Sequence, residues 1–94
     1  MFKFEELRVY QVALSLVDRI YDITQAWPKD EIFGLINQLR RAATSIVLNI
    51  AEGSSRSKKD FSHFLNMAKG SCFECVAILR IAKNRRYINE NDFK

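Results

Sequence analysis

Gln38-Leu39-Arg40-Arg41-Ala42-Ala43-Thr44-Ser45-Ile46-Val47-Leu48-Asn49-Ile50-Ala51-Glu52-Gly53 contains ten consecutive residues, 42–51, without a charged side chain. At about 100° per residue, Leu39, Ala43, Ile46 and Ile50 fall on one apolar helix face. Gln38, Arg41, Ala42, Ser45, Asn49 and Glu52 line up on another. A solvated helix carries Lys and Glu across its outer side, and this segment has none in its middle. Polar groups recurring in register inside apolar surroundings need hydrogen-bond partners. The segment therefore reads as a helix enclosed on more than one side, by its own fold and by neighbouring subunits. Gln38, Arg41, Ser45, Asn49 and Glu52 form a candidate structural polar network that holds helices or subunits in register; direct ligand binding is the competing reading.

Outward from this helix, the pattern predicts a single domain, 1–94, of long helices. The first spans 4–26, with Leu7, Tyr10, Leu14, Val17, Tyr21 and Thr24 at alternating spacings of three and four, a bundle seam. Val9, Val12, Leu16, Ile20 and Ile23 widen its apolar surface to a second set of neighbours. Trp27-Pro28 ends it, because the residue before proline is pushed out of the helical region. The second helix spans 30–52, opened by Asp30 and Glu31 at its positive end and closed by Gly53 as a left-handed cap. Ser57 and Asp60 resemble a capping box ahead of a third helix, 58–86, whose core line is Phe61, Phe64, Leu65, Ala68, Cys72, Cys75, Leu79 and Ala82. Gly70 interrupts that line and predicts close approach of another helix. Asn89 and Asp92 announce a fourth helix, begun near 89–94.

Composition agrees. Hydrophobic residues are 48% of the 94, with three glycines and one proline, a balance that favours long helices over a turn-rich β fold. The size supports one thin core, for which oligomerisation is a common supplement. No apolar run approaches the roughly 18 residues that span a bilayer, and no signal peptide opens the chain. Cys72 and Cys75 are the only cysteines, and they sit within an apolar pattern, so a reduced, cytoplasmic setting is expected. A Cys-x-x-Cys pair also fits a metal or redox site, but His63 is the sole histidine and no second pair completes a tetrahedral zinc site. Core thiols are the expectation, with no metal and no cofactor. No glycine-rich phosphate loop is present and no general base is placed beside Ser45 or Ser71, so the chain is not expected to be an enzyme.

The net charge of +4 is divided unevenly. Residues 1–34 hold four basic and six acidic side chains, net −2, and residues 35–94 hold eleven and five, net +6. Lys58, Lys69 and Arg80 recur every eleven residues, close to three helical turns, with Lys83 beside them. Arg56, Lys59, Arg85 and Arg86 add charge at the two ends of the helix. Arg40, Arg56, Lys58, Lys59, Lys69, Arg80 and Lys83 are the candidate nucleic-acid contacts; a solvated helix face has a similar pattern.

Gln38-Leu-Arg-Arg-Ala-Ala-x-Ser-Ile-x-x-Asn-Ile-Ala-Glu-Gly53 closely resembles the four-helix-bundle proteins encoded by intervening sequences in bacterial 23S ribosomal RNA genes. Leu7-x-x-Tyr-Gln-x-Ala13, Trp27-Pro28, Phe33-Gly34-Leu35, Phe64-Leu65, Gly70-Ser71 and Glu74 extend the resemblance over essentially the whole chain. Similar proteins include the accessory bundles of diversity-generating retroelements, which bind RNA and a reverse transcriptase. The resemblance implies an all-α, up-and-down antiparallel bundle of the four-helix type, with the fourth helix largely absent from this sequence. It also implies assembly as a homopentamer. Two functional readings stay open: an oligomer that binds structured RNA through basic side chains, and a protein-interaction scaffold with no nucleic-acid role.

Overall fold

The computed structural model describes residues 3–88, which contain no strand. A 3₁₀ turn, Lys3–Glu6, precedes α1 (Arg8–Thr24). A second 3₁₀ turn, Lys29–Glu31, and a π-type turn, Ile32–Ile36, lead into α2 (Asn37–Ser54), and α3 (Lys58–Asn84) follows after a short link. The expected start of a fourth helix at 89–94 lies outside the described residues.

α2 is the middle helix. It packs against both α1 and α3, which scarcely touch each other. The directions alternate: Thr24 at the end of α1 meets Arg40 near the start of α2, and Tyr87 beyond α3 returns to Glu31 ahead of α2. The chain is therefore all-α with up-and-down, antiparallel neighbours, as short connections favour. Leu39, Ala43, Ile46 and Ile50 are all buried, as their phase predicts, and Ala42, Val47 and Gly53 broaden the buried sector to serve both neighbours. No break interrupts α2 between 42 and 51.

The helix starts differ from the expectation. The first regular helix begins at Arg8, not at residue 4, and the second at Asn37, not at residue 30. Gly34 has non-helical backbone angles (φ −111°, ψ −115°), and the Glu31 carboxylate accepts the Leu35 N–H at 3.4 Å, so the entry to α2 is a kinked turn. Gly53 is not a left-handed cap; it lies inside α2, where a Cβ would come within 2.6 Å of Phe64 Cβ. Gly70 has the opposite surroundings: among the described residues nothing stands within 4 Å of where its Cβ would be, and no helix of α1 to α3 approaches it. α3 ends in a Schellman turn, with Tyr87 N–H on Ala82 O at 2.8 Å, Arg86 N–H on Lys83 O at 3.0 Å, and Arg86 itself left-handed at φ 65°. The capping box is present, since Ser57 Oγ accepts the Asp60 N–H at 3.2 Å.

The buried line of α1 is also displaced. Ala13, Ile20 and Thr24 are buried with Leu16 and Val17 half-buried, whereas the expected seam residues Leu14 and Tyr21 are exposed. The buried line falls between the two apolar sets of α1, and each set keeps an exposed flank. In α3, Ala68, Cys75 and Ala82 are buried as expected, Ile78 joins them, and Leu65 faces solvent.

Candidate functional site

The polar stripe of α2 faces outward along two grooves. Gln38, Arg41 and Ser45 line a polar groove of about 360 Å³ whose far wall is Ser71 and Glu74 of α3. Ser45, Asn49 and Glu52 line a wider one of about 960 Å³ with Phe4, Phe64 and Met67. Gln38, Arg41 and Glu52 are exposed, and Ser45 and Asn49 half-buried. Asn49 Nδ2 donates to the Ser45 carbonyl at 2.9 Å, one turn back along the same helix. Glu52 pairs with Arg56 across the α2–α3 link, which holds the Arg56 guanidinium above its usual range. Among the described residues, the Asn49–Ser45 bond to backbone is the one that joins two stripe members, and no side-chain-to-side-chain hydrogen bond does. Within one chain, then, the stripe is a row of groups presented to the grooves and not a connected relay.

The basic residues divide into three settings. Arg40 stands apart: its Nε donates to Thr24 Oγ1 at 3.0 Å and its guanidinium lies 4.4 Å from the centre of the Tyr21 ring, fastening α2 to α1. Arg56 joins its ion pair to a position 5.3 Å over the Phe64 ring. Lys58, Lys59, Lys69 and Arg80 are exposed on α3 and Lys83 is half-buried beside them. Lys58, Lys69 and Arg80 share one edge of α3 by their helical phase, turned away from the buried line of Ala68, Cys75, Ile78 and Ala82. Lys69 Nζ lies 5.7 Å from the centre of the exposed Phe73 ring. The acidic residues of α3, Asp60 and Glu74, fall on the opposite flank, Glu74 in the polar groove.

Cys75 is buried in the core and its thiol is pushed up to about 11, first by burial and then by the neighbouring Cys72 and Glu74 charges. Such a thiol is a poor nucleophile and behaves as a small apolar side chain. Among the described residues, no group of three or more His, Cys, Asp or Glu side chains is placed to hold a metal ion, and no helix is long and apolar enough to cross a membrane.

Two features were not singled out in the sequence. One is a polar latch at the end of the layer: Arg85 Nε donates to the Tyr87 hydroxyl, which donates to Glu31 Oε2, each at 2.9 Å. The Trp27 and Tyr87 rings pack beside it with centres 5.7 Å apart. Its members lie 56 positions apart, beyond the range of any local signal. The other is a groove of about 730 Å³ beside the start of α2, lined by Tyr21, Ile32, Phe33, Arg40, Arg41 and Leu48 among others. Phe33, at 94% exposure, and Leu48, at 61%, are its apolar rim.

An antiparallel helical bundle whose middle helix presents a polar stripe and whose third helix carries a basic edge is the class these features define. The chain belongs to the 23S rRNA-intervening sequence protein family, whose model matches residues 5–94. No curated protein matches it.

Proposed function

We propose that this chain is a non-enzymatic, self-assembling helical-bundle protein that binds structured RNA, with the exposed edge of α3 as the contact surface. The observation that carries the reading is the line Lys58, Lys69 and Arg80, with Ser62 and Asn66 between the first two charges, the exposed Phe73 and Val76 between the last two, and the carboxylates of α3 on the other flank. Lysines and arginines spaced along a rod neutralise successive phosphates and release counterions, so binding falls steeply with salt and depends little on sequence. Arg56, Lys59 and Lys83 extend the edge, whereas Arg40 serves the α1–α2 contact instead. Assembly repeats one modest basic surface and multiplies its affinity. The exposed apolar residues of α1 and α2 support assembly, as a pentamer on the family resemblance.

A scaffold role without nucleic acid is favoured by one specific observation, the exposed Phe33 and Leu48, since aromatic anchors of this kind characterise protein contacts. Retention of structured RNA at low and high ionic strength, with Lys58, Lys69 and Arg80 together reversed to glutamate, tests the RNA reading. Salt-sensitive binding lost in the triple variant, with helicity and mass unchanged, supports it. An assembled wild-type protein that retains no RNA at low salt overturns it in favour of the scaffold.

A further inference from the structure

We infer that Phe73 stacks on an unpaired base, so that the RNA preferred by the edge of α3 carries single-stranded nucleotides. The inference rests on the RNA reading and specifies its target. A line that serves phosphates alone needs only cations and small polar groups, and the stretch from Lys58 to Lys69 has that character, with Ser62 and Asn66 between the charges. Between Lys69 and Arg80 the pattern changes: Phe73 is 64% exposed and Val76 51%. At about 100° per residue, Lys58, Lys69, Phe73, Val76 and Arg80 fall within about 60° of one another around α3, so ring and cations share one edge. Lys69 Nζ lies 5.7 Å from the centre of the Phe73 ring, within cation–π range, which puts a positive charge beside a flat apolar surface.

A nucleotide matches this pair of groups, with a base whose face is a flat π-surface and a phosphate next to it. Stacking on an aromatic side chain uses the face of any base, so it tolerates any sequence, and it works together with cations that track the backbone. A duplex offers no such partner. Its bases are stacked on one another, and it presents phosphates and the 2′-hydroxyls of a shallow minor groove. Loops, bulges and ends leave base faces open. Charge complementarity selects a polyanion over an apolar protein segment at this edge, because Lys58, Lys69 and Arg80 surround the ring's position and the carboxylates of α3, Asp60 and Glu74, fall on the opposite flank.

Fluorescence anisotropy at low salt tests this with two labelled RNAs, a hairpin with a wide unpaired loop and a blunt duplex of equal phosphate number, on the wild type, Phe73→Leu and Phe73→Trp. The altered side chain is exposed, so circular dichroism should be unchanged. Phe73→Leu keeps apolar bulk and removes the π-face, and its affinity for the looped RNA is expected to fall at least about fivefold further than its affinity for the duplex. Phe73→Trp should keep the wild-type preference. The sole natural tryptophan, Trp27, is buried at 3% exposure, so the added indole reports on the edge, and quenching by the looped RNA but not by the duplex is expected. Equal effects of Phe73→Leu on the two affinities, or none on either, overturn the inference and leave the salt-sensitive backbone contact in place. Loss of the preference in Phe73→Trp also overturns it, because an aromatic face is then not what the RNA uses. A wild type that retains neither RNA at low salt overturns the RNA reading itself, and the stacking with it, before any variant is compared.

Discussion

Thr24 is the one buried polar side chain among the described residues, and its bonding is complete. Its hydroxyl donates to Ile20 O at 2.7 Å and accepts from Arg40 Nε at 3.0 Å. Thr24→Val keeps the shape and strands the Arg40 donor, so a loss of about 1 to 2 kcal/mol is expected in denaturant melts. Thr24→Ser, which keeps the hydroxyl, should recover most of it. The phase of Thr24 in α1 was legible in the sequence, but its partner was not, because a cation on α2 does not announce which neighbour covers it. Cys75 makes a second prediction at this scale. Its folded pKa, about 11, stands above the ordinary 9.0, so between those values the folded protein holds a proton that the unfolded chain has released. Stability from this group is fully present below pH 9 and declines as pH rises towards 11. The melting temperature of Cys75→Ala should therefore fall less over that interval than the wild type's, and parallel curves would remove Cys75 from the alkaline transition.

The glycines show how helices can be legible while their contacts are not. Gly53 was expected to cap a helix end and Gly70 to sit beneath a neighbouring helix, and the surroundings are reversed: Gly53 is pressed against Phe61 and Phe64, and Gly70 is open. Sequence locates a glycine in a pattern, but only the path of α3 decides what lies above it. Gly70→Ala should stabilise the protein by about 0.5 to 1 kcal/mol through helix propensity alone. Gly53→Ala gains the same propensity but forces a Cβ to within 2.6 Å of Phe64 Cβ, and the overpacking, on the order of 1 to 3 kcal/mol, dominates. Opposite shifts of the two melting temperatures are the expected result. At the end of α3, Arg86 occupies a left-handed position that glycine fills without strain, so Arg86→Gly should add about 1 kcal/mol. The α1 line was misplaced for a reason of the same kind. Apolar residues cover both flanks of that helix, so periodicity alone could not select the flank that α2 contacts, whereas Leu39, Ala43, Ile46 and Ile50 mark the centre of the buried sector of α2 without ambiguity.

The packing order of the helices sets where the molecule opens first. α2 is covered from two sides, whereas α1, among the described residues, packs mainly on α2 and exposes Val9, Val12, Leu14 and Tyr21. The latch of Arg85, Tyr87 and Glu31 ties the end of α3 to the entry of α2, and the Thr24–Arg40 bond ties α1 to α2 only at its C-terminal end. Local unfolding follows the density of buried contacts. Native-state hydrogen exchange should therefore find the slowest amides at 39–50 in α2, intermediate ones in α3, and early exchange at 9–12 in α1. Equal protection in α1 and α2 of the dilute protein would contradict this ordering. Concentration gives the same measurement a second use, because a subunit contact that covers the outer edge of α1 slows exchange there by mass action while α2, already enclosed, changes little. A concentration-dependent rise in protection confined to α1 is the pattern that assembly through its exposed apolar flank produces, and its absence in an assembled protein would place the subunit contact elsewhere.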